Sequence, residues 1–272
     1  MMGGHGGSAM APIYEQLFSV SGKTALVTGG AKGIGALICR TLVLAGCQVF
    51  ITGRSQVAGE RLASELAELG SCTFLRHDLS SEEEVRALTQ ELGRHTPALH
   101  ILVNNAGTFS AESIGNVSGR SWDELMGLNL RTPFLLTQAL LPLLEIGASA
   151  EDPARIVNIG SIGGLMPQSN GAYAYGCSKA AIHQLTRMLA SDLRSRNINV
   201  NAIAPGYFPS DMTAGFFAAV PGLEHSMLEK IPARRFGSQE DIGGTVIFLS
   251  SRAGAYLTGS ITALDGGLLG AP

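Results

Sequence analysis

The sequence predicts an α/β fold: one doubly wound parallel sheet with helices on both faces and a small helical lid. Three observations predict it. Short apolar runs alternate with amphipathic stretches along the chain. The runs are too uniformly apolar for either of their faces to meet water, as in a sheet covered on both sides. A glycine-rich turn joins the first run to the first amphipathic stretch.

Taken in order, Thr24-Ala-Leu-Val-Thr28 reads as a strand and Gly33 to Ala45 as a helix. Gln48-Val-Phe-Ile-Thr52 is the next strand. Gln56 to Leu69 is the next helix, with Leu62, Leu66 and Leu69 three and four residues apart on one face. Cys72 to Leu75 is a short strand. Ser80 and Ser81 precede Glu82-Glu83-Glu84, acids that suit the positive end of a helix dipole. Leu99 to Val103 is a strand, and Trp122 to Leu144 is helical, with Pro133 interrupting it. Arg155 to Ile159 is a strand, followed by a long helix from about Ala172 to Arg196. Asn199 to Ile203, Gln239 to Ser250 and Ser260 to Leu264 read as strand, helix and last strand.

No Pro/Ser linker and no repeat divides the chain, so residues 18–272 are expected to form one domain and residues 1–17 a flexible Gly-rich tail. Thr213 to Pro232 breaks the alternation. Phe216, Phe217, Met227 and Leu228 lie there among Gly215, Pro221, Gly222 and Pro232, a pattern that suits a lid over an apolar substrate.

Composition narrows the function classes. Lys and Arg number 19 against 22 Asp and Glu, a net charge of −3, so a polyanion-binding surface and a nucleic-acid partner are not expected. The four cysteines form no C-x-x-C pair and have no histidine at zinc spacing; neither a metal nor a disulfide framework is expected, and reduced thiols suit the cytoplasm. The N-terminus lacks a basic segment followed by an apolar run, and no stretch reads as a membrane span. Gly is 35 of 272 residues, near twice the usual ~7%, which implies many tight turns or close backbone approaches.

The chemistry starts at Thr28-Gly-Gly-Ala-Lys-Gly-Ile-Gly35. Gly29, Gly33 and Gly35 allow a tight turn, close approach to a pyrophosphate and close helix–strand packing, a Rossmann-type dinucleotide site. The turn lacks the terminal Gly-Lys-Ser/Thr of a phosphate-binding P-loop. An acid at the end of the second strand would select NAD; here Thr52-Gly-Arg54-Ser55 supplies an arginine instead. Arg54 can grip a 2′-phosphate by a forked contact and Lys32 can add a point charge, so the expected cofactor is NADPH/NADP+.

Tyr175-Gly-Cys-Ser-Lys179 places a phenol and an ammonium four apart, on one helix face. A nearby ammonium is expected to lower the Tyr175 pKa toward neutrality. Ser161, fourteen residues earlier and just beyond a strand, can hold a substrate oxygen.

Over about Val20 to Gly267 the chain resembles the short-chain dehydrogenase/reductase family. The matching pieces are 28–35, the acid in His77-Asp78-Leu79, Asn104-Asn-Ala-Gly107, Asn129, Ser161, Tyr175 with Lys179, and Pro205-Gly206. Within it, 150–161, 172–179 and 204–210 are most similar to 3-oxoacyl-acyl-carrier-protein reductases of the type associated with rhamnolipid biosynthesis. The resemblance implies roles. Tyr175 would give a proton to the carbonyl oxygen, and Ser161 would polarise that oxygen. Lys179 would bind the nicotinamide ribose and lower the Tyr175 pKa. Asn129 would hold a water at a local helix break, with Pro133 four residues on. Asp78 and Leu79 would meet the adenine; Asn105, Ala106 and Gly107 would line the adenine ribose side; Ile34 would approach the pyrophosphate through its amide. Ile203, Pro205 and Gly206 would shape the carboxamide pocket. Ser55, Phe208 and Ser210 complete the cofactor set, Ser210 standing where the family more often has Thr. Tyr173 reads as packing or substrate wall, and His183 as structural.

The expected reaction is reduction of a ketone to a secondary alcohol, on a 3-oxoacyl thioester carried by an acyl carrier protein or CoA. Arg120, Arg131, Arg187, Arg234 and Arg235 are candidates for a basic carrier-binding entrance. A free ketone, quinone, polyol or secondary metabolite is the alternative substrate, and a non-catalytic NADPH-binding sensor is the remote one. Family members are usually homotetramers, so a homotetramer or homodimer is expected.

Overall fold

The computed structural model describes residues 12–167, 171–209 and 222–270. Seven parallel strands form one sheet: β1 (Thr24–Thr28), β2 (Gln48–Gly53), β3 (Cys72–Arg76), β4 (Ile101–Asn104), β5 (Ala154–Ile159), β6 (Ile198–Pro205) and β7 (Ile261–Leu264). Their order across the sheet is β3-β2-β1-β4-β5-β6-β7. The direction of winding reverses between β1 and β4, and a crevice opens beyond their C-terminal ends at such a switch point.

The strands read as continuously apolar because both faces are buried. Ala25, Val27, Val49 and Ile51 point into one core with Ile38, Leu42, Ile242, Val246 and Leu249. Leu26, Phe50, Leu102 and Ile156 alternate into a second core with Leu88, Leu92, Leu136, Leu140, Leu144 and Leu193. The helices carry matching stripes: α2 (Gly33–Leu44) and the helix Gln239–Ser250 cover the first face, and α4 (Glu82–His95), α6 (Thr132–Ile146) and α7 (Tyr173–Leu193) cover the second. Burying one such Leu or Ile side chain contributes about 1.5–3 kcal/mol.

Helix starts follow the chemistry of their first residues. Ser81 caps α4 by accepting from the Glu84 amide at 3.3 Å, with Glu82, Glu83 and Glu84 in the first turn and Arg94 and His95 in the last. Ser55 caps α3 (Gln56–Ala67) by accepting from Ala58 N.

Two expectations are corrected. Of the stretch assigned to the tail, 1–11 lies outside the described residues, and 12–17 carries most of a short helix, α1 (Ile13–Phe18), which buries no residue and lies against the turn Arg252–Gly254. The interruption between α5 (Gly119–Met126) and α6 lies before Pro133. It is a π-helical turn, Gly127–Arg131, and Pro133 lies in the first turn of α6. Of the expected lid, 213–221 lies outside the described residues; the rest is α8 (Leu223–Lys230) and the segment leading to α9 (Gln239–Ser250). Met227 and Leu228 are half-buried there. No helix among the described residues is long and apolar enough to cross a membrane.

Candidate active site

A cleft runs along the C-terminal ends of β1, β4, β5 and β6. Its inner half is lined by Gly29, Lys32, Gly33, Ile34, Asn105, Ala106, Gly107, Thr108, Phe109, Ser161, Tyr175, Lys179, Pro205 and Gly206. Its outer half shares Gly29, Lys32, Ala106 and Gly107 and adds Thr52, Arg54, Ser55, His77, Asp78 and Leu79. The structure thus brings nearly every residue expected from the sequence to one continuous groove.

The glycine-rich turn builds the floor. Gly29 has φ +62, and a Cβ there would lie 2.9 Å from the Ala106 Cα, so this backbone passes the β4 loop at a distance only glycine allows. The Thr28 hydroxyl accepts from the Asn105 and Ala106 amides at 3.0 and 2.9 Å, and the Asn105 amide donates back to the Thr28 and Gly29 carbonyls. Gly35 does not line the cleft; a Cβ there would meet the Asn105 amide nitrogen at 2.5 Å, so it serves helix packing.

The groove fits a phosphorylated dinucleotide. The first turn of α2 has no side-chain cap, leaving amides and the positive dipole end for an anion. Arg54 is exposed at the outer end, and its side chain has no protein partner among the described residues. Beside it Thr52 Oγ1 is buried with no hydrogen-bond partner, an orphan that a ligand polar atom can satisfy. Ser55 is committed to capping α3, which leaves its hydroxyl able to share a second partner. Asp78 is exposed, accepting from Ser80 N at 3.2 Å. The buried Leu79 has its carbonyl held by the Thr132 hydroxyl at 2.7 Å.

The inner end carries the reactive groups. Tyr175 and Lys179 lie on the first turns of α7, with Lys179 Nζ 5.6 Å from the Tyr175 ring centre. The Ser161 hydroxyl hydrogen-bonds the Tyr175 side chain and accepts from Gly163 N at 3.0 Å. Lys179 is buried, and its Nζ donates to the Ile159 carbonyl at 2.8 Å, leaving two N–H donors for other acceptors. Asn129, in the π-helical turn, accepts from Thr108 N at 2.8 Å and donates to the Thr108 carbonyl and Ser178 Oγ. Its side chain ties the β4 loop to the start of α7.

One electrostatic expectation is reversed. The Tyr175 phenol stands above its ordinary 10.0, because burial raises it and only the Ser161 hydroxyl bond opposes. Lys179 is itself pulled down to about 8 by burial. Its ammonium is bound to the Ile159 carbonyl rather than to the phenol, so burial governs both groups.

Three further assignments change. Phe208 is turned into the core, packed over Gly237, and lines a neighbouring hollow with Ile231 and Leu264 instead of the cleft. Ile203 is fully buried in β6; only Pro205 and Gly206 beyond it reach the groove. Ser210 lies outside the described residues. Among the five candidate entrance arginines, Arg120 pairs with Glu124, Arg235 with Asp241, and Arg234 with the Glu229 carbonyl; none of the five lines the cleft.

The sequence reading missed Phe109, whose ring meets Tyr175 edge-on at 5.0 Å, and Thr52, Thr108 and His77. Phe109 and Thr108 directly follow the matched Asn-Ala-Gly, which was the signal available for them. His183, expected to be structural, is buried beside Gly160 with neither ring nitrogen paired in a side-chain bond; burial, with Lys179 and Arg187 nearby, pulls it down to about 4.

A family model described as Enoyl-(Acyl carrier protein) reductase matches residues 29–269. The rhamnolipids biosynthesis 3-oxoacyl-[acyl-carrier-protein] reductase of Pseudomonas aeruginosa is 46% identical over 250 residues, 92% of this chain and 97% of that protein. A 3-oxoacyl-[acyl-carrier-protein] reductase of Aquifex aeolicus is 35% identical over 92% of this chain and 98% of its own. The solved Pseudomonas aeruginosa RhlG/NADP active-site complex superposes with a TM-score of 0.90 at 45% identity, covering 93% of this chain and 98% of that one.

Proposed function

The chain belongs to the short-chain dehydrogenase/reductase family, and we propose that it reduces the 3-oxo group of an acyl thioester to a secondary alcohol with NADPH. The observation that carries this reading is the pairing of the Ser161 and Tyr175 hydroxyls at one end of a groove whose other end presents Lys32 and Arg54. The substrate class follows the 46%-identical relative, which acts on 3-oxoacyl-acyl-carrier-protein by its name.

NADPH, when bound, supplies the hydride that converts the carbonyl carbon to an alkoxide carbon. The protein supplies the rest. Arg54 and Lys32 would hold the 2′-phosphate, and the uncapped amides of Gly33 and Ile34 would hold the pyrophosphate. Ser161 and Tyr175 each give a hydrogen bond to the substrate oxygen, which strengthens as negative charge builds there. Tyr175 then transfers its proton to that oxygen, completing the alcohol. Lys179, its Nζ on the Ile159 carbonyl, would keep two N–H donors for the nicotinamide ribose hydroxyls. Asn129 positions the π-helical turn against Ser178, keeping this end of α7 in register.

The protein is read as a homo-oligomer. Exposed Phe134 and Ile146 on α6 and Met188 on α7 support an apolar contact face between copies. Cytoplasmic placement accords with the free cysteines.

The test is NADPH oxidation with acetoacetyl and longer 3-oxoacyl thioesters, compared with free ketones, quinones, sugar alcohols run in reverse, and a 2-enoyl thioester. Tyr175→Phe is the blank: its turnover falls by about 10²–10⁴ with NADPH binding retained. Turnover of free ketones alone, or of the enoyl thioester alone, refutes the substrate assignment; near-normal turnover by Tyr175→Phe refutes the mechanism.

A further inference from the structure

We infer that His77 is a positioning residue for the adenine end of the dinucleotide, acting through the Asp78–Leu79 turn that it ties to α4; this rests on the NADPH reading above. His77 is the first residue beyond β3, is 8% exposed, and lines the outer half of the cleft beside Asp78 and Leu79. Its ring lies between two carboxylates of α4. Nδ1 is 2.8 Å from Glu84 Oε2 and Nε2 is 2.7 Å from Glu91 Oε2. Glu84 and Glu91 are seven residues apart, two turns along one helix face, so a single ring bridges them.

Each ring nitrogen has its own carboxylate within hydrogen-bond distance, so the ring fastens the residue beyond β3 to α4 at two points. The turn is held at three places by three different elements. The His77 ring is held by α4, the Leu79 carbonyl by Thr132 of α6, and the His77 amide by the Gly53 carbonyl at the end of β2, next to Arg54. Asp78 projects between these anchors.

Removing the ring frees the Asp78–Leu79 turn on the α4 side. That effect acts on the adenine end of the groove and does not reach Ser161, Tyr175 or Lys179.

The variants are His77→Gln, Glu91→Gln, and Glu82→Gln as a control on the same helix whose side-chain partner is Arg86. NADPH is titrated into the cofactor-free protein by calorimetry, adenosine 2′,5′-bisphosphate is measured as an inhibitor, and kcat is read at saturating NADPH. His77→Gln raises the NADPH Kd and the bisphosphate Ki together by about tenfold, the equivalent of one hydrogen bond. Glu91→Gln raises both by about threefold. For both, kcat and the carbonyl substrate's KM stay at wild-type values, and Glu82→Gln changes nothing. A His77→Gln Kd within twofold of wild type overturns the proposal, as does a loss of kcat with Kd unmoved. If His77→Gln does not fold, Glu91→Gln decides: an unmoved Kd overturns the proposal. A wild-type protein that does not bind NADPH is a different result, and refutes the cofactor reading itself.

Discussion

Lys179→Met separates what the buried lysine does for chemistry from what it costs the fold. Lys179 is 6% exposed, with one protein acceptor, the Ile159 carbonyl. Burial pulls its ammonium from 10.5 to about 8. At neutral pH the folded chain keeps the charge against that preference, which costs about 3 kcal/mol at ~1.4 kcal/mol per tenfold. The folded value lies below the unfolded one, so between about pH 8 and 10.5 the unfolded chain binds more protons. Stability contributed by this group therefore rises with pH across that window. Methionine removes the titration and its penalty together. It also strips the Ile159 carbonyl of its partner, at about 1–3 kcal/mol, but that loss does not titrate. Urea unfolding of the cofactor-free protein at fixed chain concentration, wild type against Lys179→Met, isolates the titrating part. The wild-type advantage grows by about 2–3 kcal/mol from pH 7 to pH 10, while the variant loses turnover. A difference that is flat or falls with pH refutes the burial argument.

Gly160→Ala would drive its Cβ into the His183 ring at Nε2, costing about 1–3 kcal/mol and displacing Ser161, so thermal stability and kcat/KM fall together; adding His183→Ala restores stability in part, and additive losses would refute the contact. Arg54→Asp loses the forked phosphate grip and shifts the NADPH:NADH ratio of kcat/KM by about 10–100-fold toward NADH, measured with both nucleotides. Asp152→Ala leaves the buried Lys23 and Arg155 sharing no carboxylate, at about 2–3 kcal/mol by denaturant unfolding, the loss being moderated because Asp152 is itself a third exposed.

Element order and type were legible from the chain, because each strand is an apolar run covered on both faces and each helix a stripe that fits one face. β2, α2 and α9 fall within a residue of their expected bounds at both ends. Less legible was the break before α6. The sequence displays Pro133, yet the break is a π-helical turn centred on Asn129, held by side-chain bonds to Thr108 and Ser178 that come from other elements. The cofactor-binding motif was legible for the same reason that Gly29 works: backbone geometry there excludes every side chain, so the residue type announces the position.

What a side chain does beyond its own segment was a different matter. Phe208 follows the Pro-Gly of the groove in sequence, but a large ring gains more from the core over Gly237 than from a wet cleft, so it turns inward. The Tyr175–Lys179 spacing placed both groups on one face, while the balance between attraction and burial depended on the walls around them, and burial won. His77 looked like the neighbour of a matched acid; its clamp exists because α4 packs Glu84 and Glu91 against the end of β3. Spacing along one helix or strand is local geometry and is written in the chain. Charge state, burial and pairing depend on neighbours far apart in sequence, and those are assigned when the sheet and its two layers of helices close.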